Sequence, residues 1–298
     1  MLIFGNRVVT VTQVDVFKPS SNASVATPVT FMGSFTMATG RFSDGLIVIA
    51  GGSAVKVHYN TVHLFHLTND SWSRGPLAPN KLGVLTASAM LNDCLYCCGE
   101  YDGVAYQANC HKLCRGADGQ LQWSSAPFWH AAAAAYSAMA ALNGYLYQSG
   151  GLLLNDVAQN TAHRFDPTQN SWSSIANMQT ARSKHSMAAL GSKVYACGGC
   201  SSGCLTNSNS PQTFISCEQY NPSTNTWTLI ANMNHPRNLF TLAASSGNLY
   251  AIGGRQGYSD VTEGGARGVE RYDFNTDTWS DLGTVLPTQR VAHSVVVV

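Results

Sequence analysis

A pair of small residues, usually Gly-Gly, closes a short apolar run again and again along this chain. The runs are IVIAGG ending at Gly52, LYCCGE ending at Glu100, LYQSGG ending at Gly151, VYACGG ending at Gly199 and LYAIGG ending at Gly254. The first glycines stand at Gly51, Gly99, Gly150, Gly198 and Gly253, in steps of 48, 51, 48 and 55 residues. A weaker copy, LIFGN, places Gly5 another 46 residues upstream of Gly51. A period of this length means that one supersecondary unit is repeated, and that each unit buries its apolar faces against its neighbours.

A second mark follows each glycine pair, an aromatic residue with tryptophan seven positions on: Phe65 and Trp72, Phe165 and Trp172, Tyr220 and Trp227, Tyr272 and Trp279. The intervening FDPTQNSW, YNPSTNTW and YDFNTDTW carry the Pro, Asn, Asp and Thr of hairpin turns. The copy FKPSSNAS keeps Phe17 but has Ser24 in place of tryptophan, and the copy at Trp123 lacks the aromatic and carries an altered turn around Gly116 to Gly119. Each tryptophan lies 26 or 27 residues before the next first glycine, room for a loop and two more strands. Four strands per unit predict the blades of an all-β propeller. The runs VYAC and LYAI do not alternate, as expected for strands covered on both faces. The glycines end those strands where positive φ or a close backbone approach is needed.

Six glycine marks but only five complete units predict six blades, the sixth shared between the chain ends. The tail QRVAHSVVVV matches RSKHSMAAL and should supply an innermost strand beside LIFGN, closing residues 1–298 into a single domain and hiding two strand edges.

Charged residues are 11% of the chain where about 25% is usual, with Lys plus Arg 17 against Asp plus Glu 16 and no run of like charges. That excludes a nucleic-acid footprint. No stretch approaches the roughly 18 apolar residues that span a bilayer, and the start lacks a basic and then apolar leader pattern, so the expectation is a soluble cytoplasmic protein with no membrane partner. The nine cysteines are an odd number in a chain too large to need staples, which favours reduced, partly buried thiols. Cys94 and Cys97 lie in one strand with side chains on opposite faces and cannot share a metal. Cys110, Cys114, Cys200, Cys204 and Cys217 sit in or beside loops without zinc-finger spacing, and no metal or cofactor is expected. His63, His111 and His163 recur two positions before the aromatic, where Glu218, Glu270 and Asp15 stand in other copies; they read as polar fillers between blades.

The glycine pair, the spaced Tyr and Trp and the period near fifty together resemble the kelch repeat over essentially the whole chain. The segment from Met178 to Gly199 followed by CEQYNPSTNTW is similar to the repeats of BTB-kelch proteins, which are substrate receptors of cullin-based ubiquitin ligases. The resemblance implies a module that binds a partner protein or acidic peptide on its loop face, with cullin-ligase membership through modules outside this chain, and with actin as another partner of the same class. Kelch propellers of the sugar mutarotase and oxidase types make an enzyme the alternative; a non-enzymatic role is the expectation. Glu100 in place of a glycine departs from the pattern, and so does the lack of arginine at the Arg182 position in the units ending at Gly52, Glu100 and Gly151.

Arg182, Arg237 and Arg290 share one repeat position. In the family this position and residues just after the glycine pair line the partner pocket, which adds Arg255, Tyr258 and Tyr101. The other reading of the arginines is pairing with acids of their own blades, Glu218 and Glu270 being candidates. Phe128 and Trp129, at a loop tip, either anchor a partner or pack on a neighbouring blade.

Overall fold

The computed structural model describes residues 2–4, 13–18, 23–28, 37–54, 57–82, 86–101, 106–128, 135–153, 155–204, 212–257, 268–284, 286 and 292–297. Strands, turns and bends account for them; no helix occurs among the described residues, and none is therefore long and apolar enough to cross a membrane.

Five four-stranded antiparallel sheets are each built from one run of chain, in simple meander order. Blade 1 comprises Ala38–Arg41, Leu46–Ala50, Val62–His66 and Ser71–Arg74. Blade 2 comprises Ala87–Leu91, Cys94–Tyr101, Tyr106–Arg115 and Leu121–Ala126. Blade 3 comprises Ala138–Leu142, Tyr145–Ser149, Ala162–Asp166 and Ser171–Ile175. Blade 4 comprises Ser186–Leu190, Lys193–Cys197, Cys217–Asn221 and Thr226–Ile230. Blade 5 comprises Thr241–Ser245, Asn248–Ile252, Gly268–Asp273 and Thr278–Thr284. A composite sheet joins the two chain ends: Ser294–Val296 pairs antiparallel with Leu2–Phe4, which pairs with Gln13–Lys18 and then Ala23–Pro28.

Each inner strand lies beside the inner strand of the next blade, and Ser294–Val296 lies between those of blade 5 and blade 1. Thr241 Oγ1 donates to the His293 carbonyl at 3.0 Å and Ser294 Oγ to that of Met37 at 2.6 Å, on either side of this strand.

The second strand of blade 1, LIVIA, is buried throughout, and those of blades 3, 4 and 5 are buried at all but their first residue, because each is sandwiched between two blades. The tryptophans join blade to blade, their indole N–H groups donating backwards to a main-chain carbonyl: Trp123 to Pro76, Trp172 to Pro127, Trp227 to Ala176 and Trp279 to Ala231, all at 2.8–3.1 Å. The glycine pairs serve the same junctions. Gly198 has φ 63° and Gly150 φ 62°. A Cβ on Gly198 would meet the Arg237 carbonyl of the next blade at 2.5 Å, and one on Gly150 that of Arg182 at 2.3 Å. Only glycine permits both the conformation and the approach.

Eight of the nine cysteines are paired, as Cys94–Cys114, Cys98–Cys110, Cys197–Cys217 and Cys200–Cys204; Cys97 is buried and belongs to none of these bridges. This corrects the expectation of reduced thiols. The first three bridges join facing residues of adjacent strands, so hairpin register places the sulfurs together. The opposite orientation of Cys94 and Cys97 holds: one bonds across the sheet and the other faces the apolar cluster of blades 1 and 2.

Candidate functional site: the loop face and the mouth of the channel

In an antiparallel blade whose second strand ends at the glycine pair, the inner strand starts at that same end. The residues just before the inner strands, the glycine pairs and the loops after them therefore share one face. Around the axis on this face runs a chain of main-chain hydrogen bonds: Lys184 N to Tyr136 O at 3.0 Å, Leu239 N to Lys184 O at 3.0 Å and Ala292 N to Leu239 O at 2.8 Å. All four residues adopt positive φ, from 51° to 57°. They ring one end of a central cavity of about 250 Å³, lined further by Ser137, His185, Thr241 and His293.

Arg182 and Arg237 do not face this cavity. Arg182 is wholly buried; its guanidinium donates to Glu218 at 2.8 Å and to the carbonyls of Gly198 and Ser216 at 2.7 and 3.0 Å. Glu218, equally buried, also accepts the backbone N–H groups of Gln179 and Thr180. Arg237 repeats the arrangement with Glu270 at 3.0 Å, and Glu270 accepts from the backbone of Asn234 and His235. Each pair ties the segment entering a blade to that blade's third strand. The assignment of Arg182 and Arg237 to partner contact is thus corrected: guanidinium groups at most 2% exposed, each bound to a buried glutamate and to main-chain carbonyls, hold the blades, and the pairing with Glu218 and Glu270 is the arrangement found. The signal was in the sequence as a coupled absence. Blades 1, 2 and 3 lack the arginine, and there His63, His111 and His163 replace the acid.

Arg290, Tyr258 and Trp129 lie outside the described residues. Tyr101 ends the second strand of blade 2 opposite Tyr106, and its side chain lies outside the described set. Phe128 packs against the cluster of Ala87, Tyr96, Met139 and Phe165 between blades 2 and 3, the second of its two expected roles. Arg255 does stand on the loop face, half-buried, its Nε donating to Asn238 Oδ1 at 3.0 Å.

Sequence reasoning passed over Lys184, two residues after Arg182. Its Nζ donates to the Cys204 carbonyl at 2.8 Å and sits 4.8 Å from the centre of the Tyr136 ring. Burial, with the nearby Arg255 charge adding and Asp156 opposing, lowers the ammonium from its usual value to about 8. The Cys200–Cys204 bridge holds the carbonyl that Lys184 uses, in a loop that also pairs with Ser183 and Thr213. Beneath it His185, whose Nε2 lies 3.1 Å from Ser149 Oγ, is pushed down to about 3 by burial and by Arg182. Arg182 and Lys184, two residues apart, have equal sequence claims to a surface role; Arg182 packs into the blade, and Lys184, at φ 54°, lines the cavity. Among the described residues, no three His, Cys, Asp or Glu side chains come together as a metal site.

Stacked four-stranded meanders around an axial cavity, with long loops on one face, define a β-propeller. The Kelch motif matches residues 133–179, 181–234 and 236–285, just over half of the chain, and the chain belongs to the kelch-repeat proteins. It is 31% identical over 137 residues to an F-box/kelch-repeat protein of Arabidopsis thaliana, covering 45% of this chain and 34% of that one. To Kelch-like protein 36 of Bos taurus it is 33% identical over 144 residues, covering 48% and 21%. To Kelch-like protein 9 of Mus musculus it is 31% identical over 118 residues, covering 39% and 19%. The matched segment thus spans between 19% and 34% of these relatives. The solved structure of YjhT superposes with a TM-score of 0.73 at 12% identity, covering 91% of each chain, a likeness of fold.

Proposed function

We propose that this chain is a protein-recognition module, a six-bladed propeller tied shut by its composite sheet, and that its loop face takes an acidic group of a partner protein at the mouth of the axial channel. The observation that carries this reading is the pair Lys184 and Arg255. In a chain of few charges, two cations close enough to repel each other stand at one opening, with Asp156 the opposing charge beside Lys184. A partner carboxylate there would meet cations already held in place, each charge-assisted bond contributing about 1.5 to 3 kcal/mol. The kelch-like and F-box/kelch relatives support a role in protein interaction rather than catalysis. Service as a cullin-ligase substrate receptor belongs to the same reading and would be carried by parts of the relatives beyond the matched segment; the paired cysteines weigh against it, since disulfides are rare where thiols are kept reduced.

The test is a titration of a partner isolated on this chain, repeated with that partner's acidic residues changed to amides. Affinity should fall with the substitutions and with rising salt, as exposed charge pairs are screened. Affinity indifferent to both would remove the acidic-group reading.

A further inference from the structure

We infer that Asn69 is an N-glycosylation acceptor, in a protein that matures in an oxidising, secretory compartment. Two independent observations meet here. The first is covalent: three bridges join directly facing strand residues, Cys94 with Cys114, Cys98 with Cys110 and Cys197 with Cys217, and a fourth closes the loop from Cys200 to Cys204. Bridges in such number persist where glutathione and thioredoxin do not keep thiols reduced. This runs against the cytoplasmic expectation drawn from composition.

The second observation is the tripeptide Asn69-Asp70-Ser71, an Asn-x-Ser acceptor with x other than proline. It lies on the turn between the third and fourth strands of blade 1, where Thr68, Asn69 and Asp70 are all exposed. Ser71 Oγ donates to Asn69 Oδ1 at 2.7 Å, so the hydroxyl that the acceptor sequence requires is already seated on the side-chain amide. At the corresponding position of blades 3, 4 and 5 stand Gln169, Thr224 and Thr276, none of which can accept a glycan on nitrogen. A second tripeptide, Asn22-Ala23-Ser24, occurs upstream; Asn22 lies outside the described residues.

Placement favours the modification. The turn between third and fourth strands opens on the face opposite the glycine pairs, so a glycan at Asn69 leaves the mouth of the channel clear. It would cover an exposed hairpin of a blade that has neither a described disulfide nor an Arg–Glu pair. In the reaction the Asn69 side-chain nitrogen forms a bond to the anomeric carbon of a lipid-diphosphate-linked oligosaccharide, supplied by the secretory machinery. The bond from that carbon to the diphosphate oxygen breaks, the lipid diphosphate leaves with the electron pair, and the amide nitrogen loses one proton.

The experiment is to secrete the chain from eukaryotic cells, release N-glycans enzymatically in ¹⁸O-water and map the peptides. Asn69 should be recovered as ¹⁸O-labelled aspartate, and N69Q should remove one step of electrophoretic mass without lowering the melting temperature. Ser71→Ala should remove the same step while Asn69 is retained, and Ser71→Thr should restore it; peptide mapping keeps the Asn22 tripeptide apart. Asn69 recovered unlabelled from a secreted, disulfide-bonded protein would overturn the inference, as would a secreted protein whose eight paired cysteines all alkylate without reductant.

Discussion

Blade 5 and blade 2 solve one mechanical problem with different chemistry. In blade 5 the buried Arg237–Glu270 pair ties the entering segment to the third strand, and Tyr272 stacks on Trp279 with ring centres 5.2 Å apart. Blade 2 has neither the pair nor the aromatic: His111 stands where Glu270 stands, Leu113 faces Trp123 where Tyr272 faces Trp279, and two disulfides cross between the second and third strands. His111 keeps a link to the entering segment, its Nε2 lying 3.2 Å from Asn80 Nδ2. The comparison teaches that these two blades fasten the third strand by different means, an ion pair with its aromatic neighbour in blade 5 and two covalent bridges in blade 2.

The sharpest way to break this comparison is in blade 5. Glu270→Ala leaves Arg237 buried without its counter-charge, and removing one partner of a buried pair costs about 3 to 5 kcal/mol. Thermal melting should show a large fall, while the double change of both residues to apolar ones should recover part of it. An unchanged melt for Glu270→Ala would mean that the pair is not what fastens the blade.

In blade 2 the corresponding loss is covalent. Replacing Cys98 and Cys110 together by serine should cost about 2 to 4 kcal/mol, within the usual range for a native bridge. Hydrogen exchange checks where the effect falls: amides of Cys94–Tyr101 and Tyr106–Arg115 should lose protection, and those of blade 5 should keep it. Uniform loss across both blades would show that the fastenings are not local.

The last effect is nil at neutral pH and appears only in acid, at His185 beside the channel. Its folded value of about 3 lies below the ordinary 6.5, so the folded state binds fewer protons than the unfolded state between those values. Stability from keeping it neutral is complete above pH 6.5 and is lost as pH falls towards 3, with a slope of up to about one proton per molecule. His185→Gln should flatten that part of the stability curve relative to the parent. An unaltered curve would place the acid sensitivity elsewhere in the molecule.

The sequence-level reading went furthest where the repeats are most regular. The period, the Trp positions and the pairing of the terminal strands were visible because each is set by local pattern: a fixed spacing, an apolar run and a turn. Matches to the Kelch motif begin at residue 133, after the blade in which Glu100 replaces glycine and Leu113 the aromatic. The bridges were hidden for a related reason. Cys94 and Cys114 meet only if the register across the long strands of blade 2 is known, and a one-residue slip would turn the sulfurs to opposite faces. Arg182 and Arg237 failed as site residues because a repeat position identifies a blade location without saying whether the side chain points into the blade or into the channel. Lys184 had the better geometry and the weaker motif.

That contrast between Arg182 and Lys184 gives the most direct test, with melting and partner affinity measured on Arg182→Met and Lys184→Met side by side. The folded state depresses the Lys184 ammonium from its ordinary 10.5 to about 8, so below pH 8 the buried charge costs stability, and stability rises with pH between 8 and 10.5 as folding no longer excludes a proton. Lys184→Met should therefore melt at or above the parent temperature near neutral pH, yet bind an acidic partner about tenfold to a hundredfold more weakly, the equivalent of one charge-assisted bond. Arg182→Met should lower the melt and leave affinity per folded molecule unchanged. Parent-like affinity in Lys184→Met, or lost binding with an unchanged melt in Arg182→Met, would contradict the account.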